Sequence, residues 1–112
     1  KNGFARRSLS MSGGGDALAA AKKEISSNKV MIFSKSYCPF CTKAKDAFTS
    51  NNIEFKAMEL DVVEGGAEIQ AELLKMTGQR TVPNIFIKEQ HLGGCDDAMK
   101  GFADGKVQKM LE

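Results

Sequence analysis

Tryptophan is absent from the 112 residues, proline occurs twice, cysteine three times, and histidine and tyrosine once each. Three unevenly placed cysteines cannot make the scaffold of a small secreted domain, and in a reducing compartment a close pair signals redox or metal chemistry instead. An intracellular, cytoplasmic setting is expected on that ground. No apolar run approaches the roughly 20 residues that a membrane span requires. The formal charge of +2 comes from interspersed lysines and acids rather than from a basic patch, so neither a membrane nor a nucleic acid is an expected partner. What is present is a 42% hydrophobic composition with seven phenylalanines, enough to build the core of one compact domain without disulfides.

Residues 1–15 carry Lys1, Arg6 and Arg7, several serines, no acid and a closing Gly13-Gly14-Gly15 tract. They are expected to lie outside the fold. Such an Arg- and Ser-rich, acid-poor leader resembles the tail of a transit peptide, which would place the protein in a mitochondrion or plastid, and it equally suits a cloning remnant. The domain proper is expected over 16–112. Asp16 can cap a helix through Ala17, Leu18, Ala21 and Ile25, which Ser26-Ser27-Asn28 stops before a buried strand over Val30–Phe33. Next, Ala44, Ala47 and Phe48 recur at helical spacing toward the core while Lys43, Lys45 and Asp46 face solvent, up to Asn51-Asn52. A strand over 54–60, a loop over 61–66 and a helix marked by Ile69, Leu73, Leu74 and Met76 follow. After Thr77-Gly78 come a strand over 84–87, a turn at 88–90, a short strand His91-Leu92, and final helices opened by Asp96 and Asp97. This order calls for an α/β fold with a mixed sheet of about four strands flanked by helices on both faces.

The chemistry concentrates in Ser36-Tyr37-Cys38-Pro39-Phe40-Cys41, where a strand gives way to a helix. Pro39 suits the first helical position, because its missing amide proton would have no partner there. Cys38 then sits at the helix tip, where free amides and the helix dipole favour the thiolate, the species that attacks. Cys41, one turn later, can resolve the resulting intermediate and close a reversible disulfide.

SYCPFC, TGQRTVPNIFI and HLGGCDD, in this order and spacing, resemble a dithiol glutaredoxin of the thioredoxin superfamily, from Asp16 to the C-terminus. Thioredoxin itself fits less well, since its Trp-Cys-Gly-Pro-Cys is replaced and the chain has no tryptophan. The resemblance implies a thioredoxin-like fold and a glutathione-dependent oxidoreductase acting on glutathionylated or disulfide-containing proteins, as a monomer. It implies Cys38 as nucleophile and Cys41 as resolving thiol. Lys35 adds positive charge beside Cys38, and thiolates at helix starts can have pKa values of roughly 3.5 to 7.5. In the implied glutathione site, Lys35 and Gln79 hold the glycyl carboxylate, and Tyr37 lines the groove. In the Thr81-Val82-Pro83 segment, Val82 precedes a cis Pro83 and exchanges main-chain hydrogen bonds with the cysteinyl unit. The turn at Gly93 and Gly94 allows close backbone approach, the amides of Asp96 and Asp97 receive the γ-glutamyl carboxylate, and the Asp97 carboxylate meets the ammonium.

Zinc would need four ligands, and beyond the close pair only Cys95 and His91 remain, so no metal is expected. The alternative from another class is a carrier holding a [2Fe-2S] cluster between two chains through one Cys38 each and two glutathiones. Pro39 argues against it, because cluster-binding glutaredoxins usually carry Gly or Ser there. Cys95 reads as a small buried filler, Arg80 as a brace paired to carboxylates, His91 as an exposed hairpin residue, and the Met and Phe positions as core.

Overall fold

Strand β1, Val30–Ser34, is buried along its whole length, as its continuous apolar run requires of a strand covered on both faces. It pairs in parallel with β2, Lys56–Glu59, and antiparallel with β3, Asn84–Ile87. β4, Gln90–Gly93, forms a hairpin with β3 and completes a mixed sheet in the order β2-β1-β3-β4. The computed structural model describes residues 14–112. The expected leader therefore lies almost wholly outside the described residues.

Five helices cover the sheet: α1 Gly14–Ser27, α2 Pro39–Ser50, α3 Gly66–Thr77, α4 Cys95–Asp104 and α5 Lys106–Leu111. Alternation along β1 divides the core into two layers. Val30 and Ile32 face a cluster with Ala44 and Phe48 of α2, Ala98 of α4 and Val107 of α5. Met31 and Phe33 face Ala17, Ala21 and Ile25 of α1 and Ile69 and Leu73 of α3. Phe48 is fully buried, between Phe55 and Phe102, a burial that stabilises the fold by about 1.5 to 3 kcal/mol.

Some boundaries differ from expectation. α1 begins before Asp16, which lies in its first turn rather than at its cap. β2 covers only residues 56–59. The hairpin turns through two residues, Lys88 and Glu89, both at positive φ (49° and 70°), the pairing that a type I′ turn demands. α4 is opened by Gly94 as its cap, with Asp96 and Asp97 in its first turn. Phe40 is 60% exposed and Met76 39%, so neither belongs to the core. Phe40 is the second residue of α2, and Met76 is in the last turn of α3.

Candidate active site

Three loops meet at one end of the sheet: the turn between β1 and α2, the segment before β3, and the turn between β4 and α4. In the first, Cys38 is the N-cap of α2 and Pro39 its first residue. The Cys38 amide donates to the Lys35 carbonyl at 3.1 Å, closing the turn. Asp61, just past β2, fastens the same turn by accepting from both the amide and the hydroxyl of Ser36. Those bonds hold the Asp61 carboxyl below the usual carboxylate range, and Lys35 adds to the effect.

Partial burial pushes the Cys38 thiol up. The Cys41 side chain, the backbone amides of Cys41 and Phe40, and the charge of Lys45 outweigh it, leaving Cys38 below the ordinary cysteine value. The Cys41 amide donates directly to Cys38 Sγ at 3.4 Å. Cys41 is the opposite case. It is fully buried, and burial raises its pKa, with the neighbouring Cys38 sulfur raising it further. One helical turn thus separates an activated, partly accessible thiol from a sheltered one, both in the free form.

Facing them, Val82 precedes Pro83 through a cis peptide bond, and its carbonyl accepts from Cys38 Sγ at 3.8 Å. The Gln79 amide braces this segment, donating to the carbonyls of Thr81 at 2.9 Å and Pro83 at 2.8 Å. His91 Nε2 lies 3.2 Å from Gln79 Oε1 and 2.8 Å from the buried Asn84 Oδ1. Both partners are acceptors, which assigns the proton to Nε2. Burial lowers the His91 pKa against a smaller pull from Asp97, and the ring packs on Phe86 with centroids 5.2 Å apart.

A groove of about 420 Å³ runs beside this segment, lined by Phe40, Gln79, Thr81, Val82, Pro83, Gly94, Cys95, Asp96 and Asp97. Its far wall is the start of α4. The first bond inside that helix runs from Ala98 N–H to the Gly94 carbonyl, so the amides of Cys95, Asp96 and Asp97 have no intrahelical acceptor and favour an anion. Asp97 Oδ2 accepts from the Gly94 amide at 3.0 Å, leaving its other oxygen for a cation. Gly93, at φ +126°, makes this possible, because a Cβ there would stand 2.2 Å from Asp97 Oδ2.

The sequence model of the glutaredoxin family matches residues 30–92, which carry both thiols and the cis proline. A glutaredoxin of Solanum lycopersicum is 50% identical over 95 residues, 85% of this chain and 88% of the relative. The chain belongs to the glutaredoxin family. Glutaredoxin-C6 of Oryza sativa subsp. japonica is 48% identical and is matched over 85% of each chain. Among solved structures, a buckwheat glutaredoxin–glutathione complex superposes with TM-score 0.85 at 44% identity, covering 88% of this chain and 89% of that one. Wheat glutaredoxin superposes with TM-score 0.85 at 49% identity, covering 88% and 95%. The fold is thioredoxin-like, and glutaredoxins are glutathione-dependent thiol-disulfide oxidoreductases.

In this glutaredoxin the structure gathers Gln79, Thr81, Val82, Pro83, Gly94, Asp96 and Asp97 around one groove, with Cys38 at its edge. Both protons of the Gln79 amide go to carbonyls of its own loop, so Gln79 braces the segment. Tyr37 is 71% exposed and stands outside the groove lining, which Phe40 occupies instead. Arg80 has no carboxylate partner among the described residues; its carbonyl, not its charge, ties the loop, by accepting from Gln70. Lys35 adjoins the site through its backbone. Lys45, half-buried and paired with Glu59 at 2.9 Å rather than facing solvent, adds a charge that favours the Cys38 thiolate. Gly94 needs no special backbone freedom, since a Cβ there would make only ordinary contacts; the demanding glycine is its neighbour, Gly93. Cys95 is buried within the core cluster as expected of a filler. Lys45, Phe40, Asp61, Asn84 and His91 were not legible as site residues, because each acts across elements that only the sheet brings together.

Proposed function

We propose that this chain reduces mixed disulfides between proteins and glutathione, and protein disulfides, with Cys38 as nucleophile and Cys41 as resolving thiol. The observation that carries this is the placement of the two thiols, Cys38 half-buried at the tip of α2 with the Cys41 amide on its sulfur, and Cys41 fully buried one turn later. The Cys38 thiolate attacks the glutathionyl sulfur, the target's thiolate leaves, and glutathione remains bonded to Cys38. A second glutathione thiolate attacks that bond, releasing oxidised glutathione and free Cys38. On protein disulfides the target itself is held on Cys38, and Cys41 displaces it.

Glutathione fits the groove by charge. Its γ-glutamyl carboxylate would meet the free amides of Asp96 and Asp97, its ammonium the Asp97 carboxylate, and its cysteinyl backbone the Val82 main chain, whose carbonyl already faces Cys38. Lys35 and Gln79 would hold the glycyl carboxylate. Gly93→Ala tests this docking. The added Cβ displaces the Asp97 carboxylate, and losing a charged hydrogen bond costs about 1.5 to 3 kcal/mol. The KM for glutathione is then expected to rise about tenfold or more, with the rate of Cys38 alkylation unchanged. An unaltered KM would exclude the site.

Pro39 follows Cys38 where cluster-binding glutaredoxins usually carry Gly or Ser, which favours exchange by a monomer over cluster carriage. Anaerobic reconstitution with iron, sulfide and glutathione is expected to leave a colourless monomer. A stable brown dimer would support the carrier reading instead.

A further inference from the structure

His91 is on β4, the last strand of the sheet, directly opposite Phe86 of β3. Its ring packs on Phe86, and its Nε2 lies 2.8 Å from Oδ1 of Asn84, a residue with almost no exposure. Two contacts from β3 thus fix the ring. The same Nε2 lies 3.2 Å from Gln79 Oε1. One N–H shared between two oxygens is a common arrangement, and here it ties both flanks of the cis-proline segment to one ring, Gln79 before Pro83 and Asn84 after it.

A glutamine amide can turn over, exchanging its nitrogen for its oxygen in nearly the same shape. The two ends are not equivalent here. The nitrogen donates to the Thr81 and Pro83 carbonyls at 2.9 and 2.8 Å, and Gln79 lines the groove, its nitrogen 3.7 Å from where a Cβ on Gly94 would stand. A turned amide would set its oxygen against both carbonyls and present a second negative end to an incoming carboxylate. His91 lies behind the groove lining and donates to the Gln79 oxygen, so it keeps the nitrogen end forward. A long side chain loses rotamer freedom when it takes up a ligand, and the His91 bond fixes that rotamer beforehand.

We propose that His91 is a positioning residue for glutathione and acts through Gln79. The inference rests on the proposed docking of glutathione in this groove, with Gln79 and Lys35 at its glycyl carboxylate. In that arrangement His91 has no contact with the reacting sulfurs. Its ring, anchored by Phe86 and Asn84, sets the direction of the Gln79 amide, and that amide sets both the course of the Thr81-Val82-Pro83 main chain and the donor face offered to the ligand.

The test replaces His91 in the full chain and follows turnover of a small glutathione mixed disulfide. His91→Phe keeps a ring against Phe86 and removes the N–H. The KM for the mixed disulfide is expected to rise about threefold to tenfold, the worth of one neutral hydrogen bond, while kcat and the rate of Cys38 alkylation change by no more than about twofold. His91→Gln brings an amide nitrogen close to the position of Nε2 and should recover most of the loss. In a Gln79→Leu chain, whose own KM is raised, adding His91→Phe should raise KM by no more than about twofold further, because residues acting through one contact are not additive. An unaltered KM in His91→Phe would overturn the proposal. A full further rise in the Gln79→Leu background would do the same, as would an equal loss of kcat and of Cys38 alkylation, which marks a general loosening of the fold. His91 is the only histidine in the chain, so the nitrogen resonances of its imidazole report on the unaltered protein even if no variant folds. A proton on Nε2 is expected there, and a neutral ring protonated on Nδ1 alone would overturn the proposal. Should Gln79→Leu leave KM unaltered, the docking of glutathione at Gln79 fails and the inference with it, a result distinct from failure of the His91 contact.

Discussion

Cys38→Ser is expected to reduce glutathione-coupled turnover of a small mixed disulfide to the uncatalysed background, while Cys41→Ser retains most of it. Cys38 is the thiol whose sulfur reaches the groove edge beside Val82 and receives the Cys41 amide; a serine hydroxyl there would remain protonated and inert. Cys41 is buried beneath the helix and has no part in a reaction completed by a second glutathione. The same asymmetry sets the pH dependence. Alkylation follows the thiolate fraction, which rises as pH passes upward through each group's folded pKa. Cys38 should therefore alkylate with a midpoint below the ordinary cysteine value, because its pKa is lowered. Cys41 in the Cys38→Ser chain should alkylate slowly. Full turnover by Cys38→Ser, or a Cys38 midpoint above the ordinary value, would refute the assignment of nucleophile.

Gly66→Ala should be the most damaging single substitution for stability. Gly66 opens α3, and a Cβ there would lie 1.8 Å from the Leu60 carbonyl oxygen, with the Leu60 carbonyl carbon and Cα also close. The obstacle is backbone at the end of β2, whose amide is itself bonded to the Ser34 carbonyl at 2.8 Å, so no side chain can swing aside. Overpacking of this kind costs about 3 kcal/mol or more, equivalent to a Tm lowered by on the order of 15 °C in a domain of this size. Thermal unfolding followed by circular dichroism measures it. A shift of only a degree or two would show that the start of α3 moves freely away from β2.

The elements were legible where one local signal dominated. The apolar run of β1 needs burial on both faces, and Pro39 after Cys38 marks a helix start wherever the chain goes. Asn51 does end α2 as its C-cap. Boundaries blurred where pairing decides them: β2 stops at Glu59 because β1 offers partners only from Met31 to Ser34. Lys88 and Glu89 adopt positive φ, which their types do not favour; the short span between two paired strands imposes it. Phe40 reads as core by composition, yet in the first turn of α2 it is left largely exposed on the wall of the groove.

What the residues alone determined was the reagent: two sulfurs one helical turn apart, a proline that starts the helix between them, and a second proline ahead of a strand. Local stereochemistry and the helix terminus suffice for those, since no distant contact is needed. What only the tertiary structure decided was how each group is used. Gln79 braces its own loop because Thr81, Pro83 and His91 come within hydrogen-bonding reach of its amide. Lys45 could have faced water, but pairing β2 beside β1 sets Glu59 under it and turns its charge toward Cys38. Side-chain roles depend on which hydrogen-bond and charge partners come within a few ångströms, and residues far apart along the chain acquire those partners only when the sheet closes.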